Sequence, residues 1–318
     1  MRGEVLTIGD ELLRGEIVDS NKSFLSDRLL QLDIETDYHA SVRDIPAHMI
    51  DAFQRAAERS DVVLVSGGLG PTRDDLTAEV LGQAFGRKLV LDEAALEGIR
   101  AFFASVGREM TENNASQAYF PEGAEVLENP IGTAPGFLLD VQDTLFFCMP
   151  GVPREMMRMM DEQVLPRLAK RGDTPGRVVR ATLLRTFGMG ESTLDAELSD
   201  LARSEKVSLG FRTSFPDNYL RPVARADSAE EAEALLAETC DAIRARLGAI
   251  IYAEGDATLQ EVVVRGLIEQ RKTIGVAESC TGGMIGAKLV DVPGASRVFL
   301  GAVVACANTA KRDLLGVD

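Results

Sequence analysis

The chain has 318 residues, 45% of them hydrophobic, and a formal net charge of −16. That length predicts two or three domains with real cores. The charge argues against nucleic acid as a partner of the whole surface, because such binding rests on phosphate neutralisation. Cys148, Cys240, Cys280 and Cys306 lie far apart without metal-ligand spacing, which argues against disulfides and fits a reducing cytoplasm. No apolar run approaches the roughly 20 residues of a membrane span, and nothing in the sequence marks secretion.

Residues 3–9 read as a first strand, with Asp10 and Glu11 at its carboxyl end. Ser20 or Asn21 is placed to cap a helix whose Phe24, Leu25, Leu29 and Leu32 share one face. Ile34, Thr36, Tyr38 and Ala40 alternate as a strand, and Asp44 follows in a turn where it could cap the helix beginning near Pro46. Met49, Ile50, Phe53 and Ala57 mark the apolar face of that helix. A buried strand at 61–66 leads into Ser66-Gly67-Gly68-Leu69-Gly70-Pro71-Thr72-Arg73-Asp74-Asp75-Leu76-Thr77. Helices follow at about 77–86 and 92–106.

The alternation of strands and helices predicts a parallel sheet covered on both faces. Ligands of such sheets bind at the carboxyl strand ends. Asp10, Asp44 and the glycine loop all fall there. Glycines let the backbone approach a ligand, and a helix start favours an anion such as phosphate. Asp74 and Asp75 would repel a bare phosphate. A cation between them, or a substrate hydrogen that they accept, reconciles the two. The stretch therefore reads as a phosphate-plus-metal site.

Residues 119–153 are rich in Gly and Pro, with short strands at 137–140 and 144–148. A Met-rich helix runs from about 154 to 170, and its Met cluster at 156–160 reads as core or dimer packing. Residues 171–176 form the best linker. A small α+β module follows over about 177–253, with strands at 178–187, 207–212 and 220–226 and helices at 191–203 and 229–247. The acidic run 230–233 reads as a solvated helix face, and His39 and His48 as structural or solvated. A third unit starts near Thr258. It has an amphipathic helix (Leu259, Val262, Val263, Leu267), a strand at 273–277, Glu278-Ser279-Cys280-Thr281-Gly282-Gly283, a second helix and a strand at 298–305. Two strands and two helices cannot bury a core, so this unit is expected either to be cut off or to lean on the rest of the protein.

Four separated motifs now carry a resemblance: Thr7 to Leu13 with Gly15 and Asp19-Ser20-Asn21; Ser66 to Thr77; Gly132 to Gly136; and Met149 to Met156. In this order they resemble the CinA family (competence/damage-inducible protein A) over essentially the whole chain. The resemblance implies three parts. Residues 1–170 form an α/β, three-layer, molybdopterin-binding-like domain of the MoaB/MogA type. Residues 177–253 form a KH-like domain, and residues 258–318 the start of a nicotinamide mononucleotide deamidase domain. It implies a metal-dependent ADP-ribose pyrophosphatase acting in pyridine nucleotide recycling, with Mg, Mn or Co as cation and potassium as a further one. It also implies a homodimer.

Asp44 and Asp75 match acidic positions of the molybdopterin-binding relatives, and are expected to hold the metal or orient a water, with Asp10, Glu11 and Asp74 beside them. Gly67, Gly68 and Gly70 would cradle phosphates, helped by Gly9, Asn21, Thr72, Thr77, Gly151 and Glu155. Gly132, Thr133 and Gly136 would complete the nucleotide pocket. In the third unit Ser279 and Lys311 match the family's working pair. Cys306-Ala307 stands where the family has Tyr-Ser, so little deamidase activity is expected, and Cys280 is read as a bystander thiol. The alternatives are pterin binding or adenylylation, and a non-catalytic partner of competence or DNA-repair proteins. No Gly-x-x-Gly loop marks the KH-like unit for RNA.

Overall fold

The computed structural model describes residues 1–171, 178–201, 206–214 and 216–318. Most of the expected linker, residues 172–176, lies outside that set. By internal contacts the chain forms two compact units, Met1–Val179 with Ala226–Ser228, and Arg180–Arg225 with Ala229–Asp318.

In the first unit the elements run β1 (Arg2–Ile8), α1 (Asp10–Leu13), α2 (Ser20–Leu30), β2 (Glu35–Val42), α3 (Pro46–Arg59), β3 (Val62–Ser66), α4 (Thr77–Ala84), β4 (Leu89–Leu91), α5 (Glu93–Ser105), α6 (Glu112–Ala115), β5 (Tyr119–Pro121), β6 (Glu125–Leu127), β7 (Gly136–Val141), β8 (Thr144–Met149), α7 (Pro153–Met159) and α8 (Leu165–Arg171). Six strands form one sheet in the order β2-β1-β3-β8-β7-β6. The first four are parallel; β7 runs antiparallel to both of its neighbours. The reversal at β7 follows from the two-residue turn Gln142-Asp143, both at positive φ, which joins it to β8 as a hairpin.

The period-two pattern sorts the core into two layers. Val63, Val65, Phe146 and Cys148 face one side with Met49 and Phe53 of α3 and Val80 and Leu81 of α4. Val62, Leu64, Phe147 and Met149 face the other with Leu25 and Leu29 of α2 and Met156, Met159 and Met160. β3 and β8 are buried throughout, as strands covered on both faces must be. The Met cluster is therefore core. A π-turn over Met160–Val164 joins α7 to α8. Pro166, just beyond it, lacks an N–H and would clash with the carbonyl four residues earlier, which the wider turn relieves.

The cap of α2 is Asp19, not Ser20 or Asn21. Its carboxylate accepts from the Lys22 N–H at 3.3 Å and from the Thr7 hydroxyl at 2.7 Å. Asp19→Ala is expected to cost about 1 kcal/mol of stability, measured by urea unfolding.

In the second unit the strands are β9 (Val178–Ala181), β10 (Leu184–Phe187), β11 (Val207–Ser214), β12 (Asp217–Ala226) and β13 (Ile251–Glu254), with helices α9 (Glu191–Leu198) and α10 (Ala229–Leu247). The long strand expected at 178–187 is thus two strands. The path of the sheet is β11-β12-β10-β13, with β9 also on β12. Then come α11 (Leu259–Glu269), β14 (Ile274–Glu278), α12 (Met284–Val290), β15 (Phe299–Val304) and α13 (Asn308–Leu315). β14 and β15 make a two-stranded parallel sheet over a small core of Val264, Leu289, Val292, Ala295 and Val298. β15 leaves Leu300, Val303 and Val304 exposed. No described helix is long and apolar enough to cross a membrane.

Candidate functional site

Because β2, β1, β3 and β8 are parallel, their carboxyl ends lie along one edge. The segments that leave them are stitched together by backbone bonds. The Gly9 N–H donates to the Val42 carbonyl, and the Gly67 N–H to the Met149 carbonyl, each at 3.1 Å. Gly67 sits at φ 114°, and a Cβ there would collide with the Ile8 carbonyl oxygen. The glycine is needed for the loop to pass so close to β1. The Thr77 hydroxyl, fully buried, donates to the Gly67 carbonyl at 2.8 Å. Thr77 thus holds the loop rather than facing a ligand. Among the described residues the amides of Gly68, Leu69 and Gly70 have no protein acceptor. Three consecutive unclaimed N–H groups are a cradle for anionic oxygens.

The carboxylates divide into anchored and strained ones. Asp10 accepts from Arg43 through Nε at 2.9 Å and Nη2 at 2.7 Å, and from Arg14 Nη2 at 2.6 Å. The Arg43 hydrogen bonds, with the charges of both arginines, hold its carboxyl below the usual aspartate value. Asp44 turns back to accept the Asp10 N–H at 2.8 Å. It therefore caps α1, not the helix that begins at Pro46. Partial burial, then the nearby charges of Asp10, Glu11 and Asp74, push the Asp44 carboxyl above its ordinary value. Asp74 accepts from the Thr72 hydroxyl and is held low, chiefly by that bond.

Asp75 behaves differently. It accepts the Thr72 N–H at 2.8 Å and shares the Thr72 hydroxyl, 2.6 Å away, with Asp74. Its carboxylate lies where a Cβ on Gly70 would be, 2.5 Å away. Asp75 shapes the loop, and Asp74 is the loop carboxylate whose charge acts on Asp44. Among the described residues no group of three or more His, Cys, Asp or Glu is set to hold a metal ion. Of the two adjacent loop aspartates, Asp74 is the one whose charge reaches Asp44, while Asp75 is engaged by Thr72.

Asn21 is nine-tenths buried behind the loop. Its amide nitrogen donates to Ser66 Oγ and to the Gly151 carbonyl, both at 2.9 Å, and its Oδ1 has no partner. Glu155 accepts from Asn129 Nδ2 at 2.6 Å and packs under Gly132, leaving no room there for a Cβ. Gly132 and Thr133 line a groove of about 590 Å³ against Asp92, Gly98 and Phe102, and no glycine-loop residue lines it. Gly136 has a packing role, because a Cβ would meet the Met159 sulfur and the Cys148 carbonyl. Arg14 and Arg43 escaped the sequence reading. Arg14 was accessible to it, since it stands four residues after Asp10 on one helical face.

In the second unit Ser279 follows β14 and Lys311 lies in α13 after β15, so both stand at the same edge of the small sheet. They make no hydrogen bond to each other. The Cys306 thiol donates to the Ser279 carbonyl at 3.3 Å. Glu278, 3% exposed, accepts from the N–H groups of Gly283 (3.1 Å), Ile285 (3.0 Å) and Gly286 (2.8 Å). Burial opposes its charge, but these donors outweigh burial and hold the carboxyl below its ordinary value. A carboxylate lowered on folding stabilises above its unfolded pKa and loses that effect as pH falls through the folded value. Glu278→Gln is expected to melt at a lower temperature than wild type at pH 7. The gap should close on acidification below the ordinary glutamate range, as followed by circular dichroism.

Comparison with known proteins places these parts. A family model described as probable molybdopterin binding domain matches residues 4–170. The KH domain of damage-inducible protein CinA matches 181–253, and the CinA C-terminal domain matches 256–318. A CinA-like protein of Dictyoglomus turgidum is 42% identical over 318 residues, covering 100% of this chain and 77% of that protein. A putative competence-damage inducible protein of Acetivibrio thermocellus is 40% identical over 318 residues, covering 100% and 76%. A crystal structure of CinA from Thermoplasma acidophilum is 34% identical and covers 52% of this chain and 97% of that one, with a TM-score of 0.48. With more than three quarters of a 42% identical relative matched end to end, the chain belongs to the CinA family of competence/damage-inducible proteins, and it carries that family's molybdopterin-binding-like α/β domain.

Proposed function

We propose that the first domain hydrolyses the pyrophosphate of ADP-ribose, or of a related nucleotide, to AMP and ribose 5-phosphate with a divalent cation. The observation that carries the reading is the apposition of two opposite features. Three unclaimed amides at Gly68–Leu69–Gly70 suit phosphoryl oxygens, yet they belong to the same strand-end edge as Asp44 and Asp74, which would repel them. A hard cation removes the conflict. Asp44 and Asp74 offer oxygen ligands, and Mg²⁺-like ions commonly complete their shell with substrate phosphates and water rather than with an all-protein cage. This donor set is compatible with Mg, Mn or Co. When bound, such an ion lowers the cost of charge developing on the phosphoryl oxygens.

The chain's own residues do the rest. The amides position the pyrophosphate. Arg14 and Arg43 neutralise Asp10, so its charge does not add fully to that of Asp44. Asp44, at the strand ends beside the loop, is suited to hold the cation or to orient the attacking water. A homodimer in the cytoplasm with no membrane association, and potassium as an accessory cation, belong to the same proposal. Ser279 and Lys311 lack a mutual hydrogen bond, which supports leaving the deamidase chemistry out of this chain's activity.

The match to a molybdopterin-binding domain favours a second reading, retention or adenylylation of a pterin phosphate. Purified protein incubated with ADP-ribose and Mg, Mn or Co is expected to yield AMP and ribose 5-phosphate on chromatography. No turnover with any of the three metals, together with tight molybdopterin binding, would establish the second reading in place of the first.

A further inference from the structure

The four cysteines are far apart in sequence, but folding brings two of them together. β14 and β15 lie parallel, with Glu278 opposite Val304 at the last paired position. One step on, the Ala305 N–H donates to the Glu278 carbonyl at 2.9 Å. One step further, the Cys306 thiol donates to the Ser279 carbonyl at 3.3 Å. That carbonyl also accepts the Gly282 N–H at 3.2 Å, which closes a turn with Cys280 at its first corner. Peptide planarity sets a carbonyl oxygen roughly 3 Å from the next Cα, so the Cys306 sulfur lies within roughly 6 Å of the Cys280 Cα. A disulfide joins Cα atoms about 4.4–6.8 Å apart, and neighbouring strands are spaced about 4.8 Å apart. Cys280 and Cys306 each stand two residues beyond the paired Glu278 and Val304, and the thiol–carbonyl bond keeps the two exits together there.

The pair also differs chemically from the other two thiols. Cys280 and Cys306 are exposed, whereas Cys148 and Cys240 are buried. Burial pushes the Cys148 thiol well above its ordinary value, and burial is the main cause that pushes Cys240 up to about 11. The thiolate is the reactive form, so neither buried cysteine is reactive near neutral pH. Cys280 lies in the turn between β14 and α12, and Cys306 in the segment between β15 and α13, so neither is held inside a helix or strand.

We propose that Cys280 and Cys306 form a reversible disulfide that clamps the exits of β14 and β15 in response to a peroxide. With hydrogen peroxide, one thiolate attacks a peroxide oxygen, breaking the O–O bond and giving a sulfenic acid and hydroxide. The second thiolate attacks that sulfur, forming the S–S bond and expelling a second hydroxide. The two thiol protons turn both hydroxides into water. Two electrons pass from the sulfur pair to the peroxide, and the products are one disulfide and two waters. A dithiol reverses the step by exchange, as for the transient disulfides of reducing compartments. Ser279 immediately precedes Cys280, and Lys311 stands five residues after Cys306. Both residues that the resemblance pairs therefore lose freedom when the bridge closes, and the small core under β14 and β15 gains a covalent tie. The proposal is independent of the reaction in the first domain.

The test treats the full, reduced chain with hydrogen peroxide under native conditions, then digests it without reductant for mass spectrometry. The expected product is a pair of peptides joined through Cys280 and Cys306, lighter by two hydrogens and released by dithiothreitol, with Cys148 and Cys240 still alkylated as free thiols. Cys280→Ser and Cys306→Ser are small changes at exposed positions, and each should abolish the joined pair. The oxidised protein should melt several degrees above the reduced one, because a cross-link restricts the unfolded chain. Neither serine variant should show that shift. Free or sulfinic Cys280 and Cys306 after oxidation of wild type would overturn the proposal, as would bridges found only between two molecules. A bridge that leaves melting unchanged would overturn the clamp.

Discussion

Asp44→Asn is expected to lower the rate of ADP-ribose hydrolysis by roughly a hundred- to a thousandfold, the loss typical of removing one electrostatic contributor to an acyl- or phosphoryl-transfer site. It should do so without lowering the melting temperature. Asparagine keeps an acceptor for the Asp10 N–H, which Asp44 now holds at 2.8 Å, so the cap on α1 survives. What is lost is a charge that the folded protein holds at a disadvantage. The Asp44 carboxyl is pushed up by partial burial first and then by Asp10, Glu11 and Asp74. For a carboxylate whose pKa rises on folding, the charged form is disfavoured in the native state. Stability therefore declines as pH rises from the ordinary aspartate value through the raised one. The Asn variant escapes that decline. A variant that is inactive and at least as stable as wild type would mark Asp44 as a group kept for chemistry at the expense of stability. An active variant, within a few-fold of wild type, would remove Asp44 from the mechanism. Wild type should also lose activity on its acid side above the ordinary aspartate range, and a saturating divalent cation should move that limb downward by favouring the carboxylate.

Much of this arrangement was legible in the sequence, and the rest was hidden for identifiable reasons. Alternation of apolar strands with amphipathic helices gave the parallel sheet, and the glycine-rich run after 61–66 gave the strand-end site. Reversal of β7 was not visible, because a buried strand reads the same in either direction; only the Gln142-Asp143 turn hinted at it. Asn21 looked like a helix cap on local grounds. Its actual bonds reach Ser66 and Gly151, 45 and 130 residues away, and no local pattern reports such contacts. Asp74 and Asp75 are adjacent and chemically identical. The Thr72 amide bonds Asp75, whose carboxylate lies against Gly70, and Asp74 is the one whose charge acts on Asp44. The family resemblance favoured Asp75, but how each aspartate is bonded depends on how the loop folds on itself, which no local pattern reports.

Gly67→Ala is expected to be the most damaging single substitution in the loop. The backbone there has φ 114°, which L-residues avoid, and the new methyl would be driven into the Ile8 carbonyl oxygen. Neither partner can step aside. Ile8 is the last residue of β1, paired on one side with β2 and continuous with a strand bonded to β3 on the other. Gly67 is itself tied to Met149 of β8 and, through its carbonyl, to Thr77. Strain plus collision should cost roughly 3 kcal/mol in urea unfolding. Any relaxation that lowers that figure must move the Gly68–Gly70 amides, and a displacement of about 1 Å at a reacting group can cost a hundredfold in rate. Stability and activity are therefore linked: a variant that keeps one must sacrifice the other. Gly98→Ala is the control. It lies inside α5 with open space around the added carbon, so it should stabilise by about 0.5–1 kcal/mol through helix propensity alone. If Gly67→Ala were instead as stable and as active as wild type, the loop would be free of β1, and its amides could not be the fixed cradle that pyrophosphate cleavage requires.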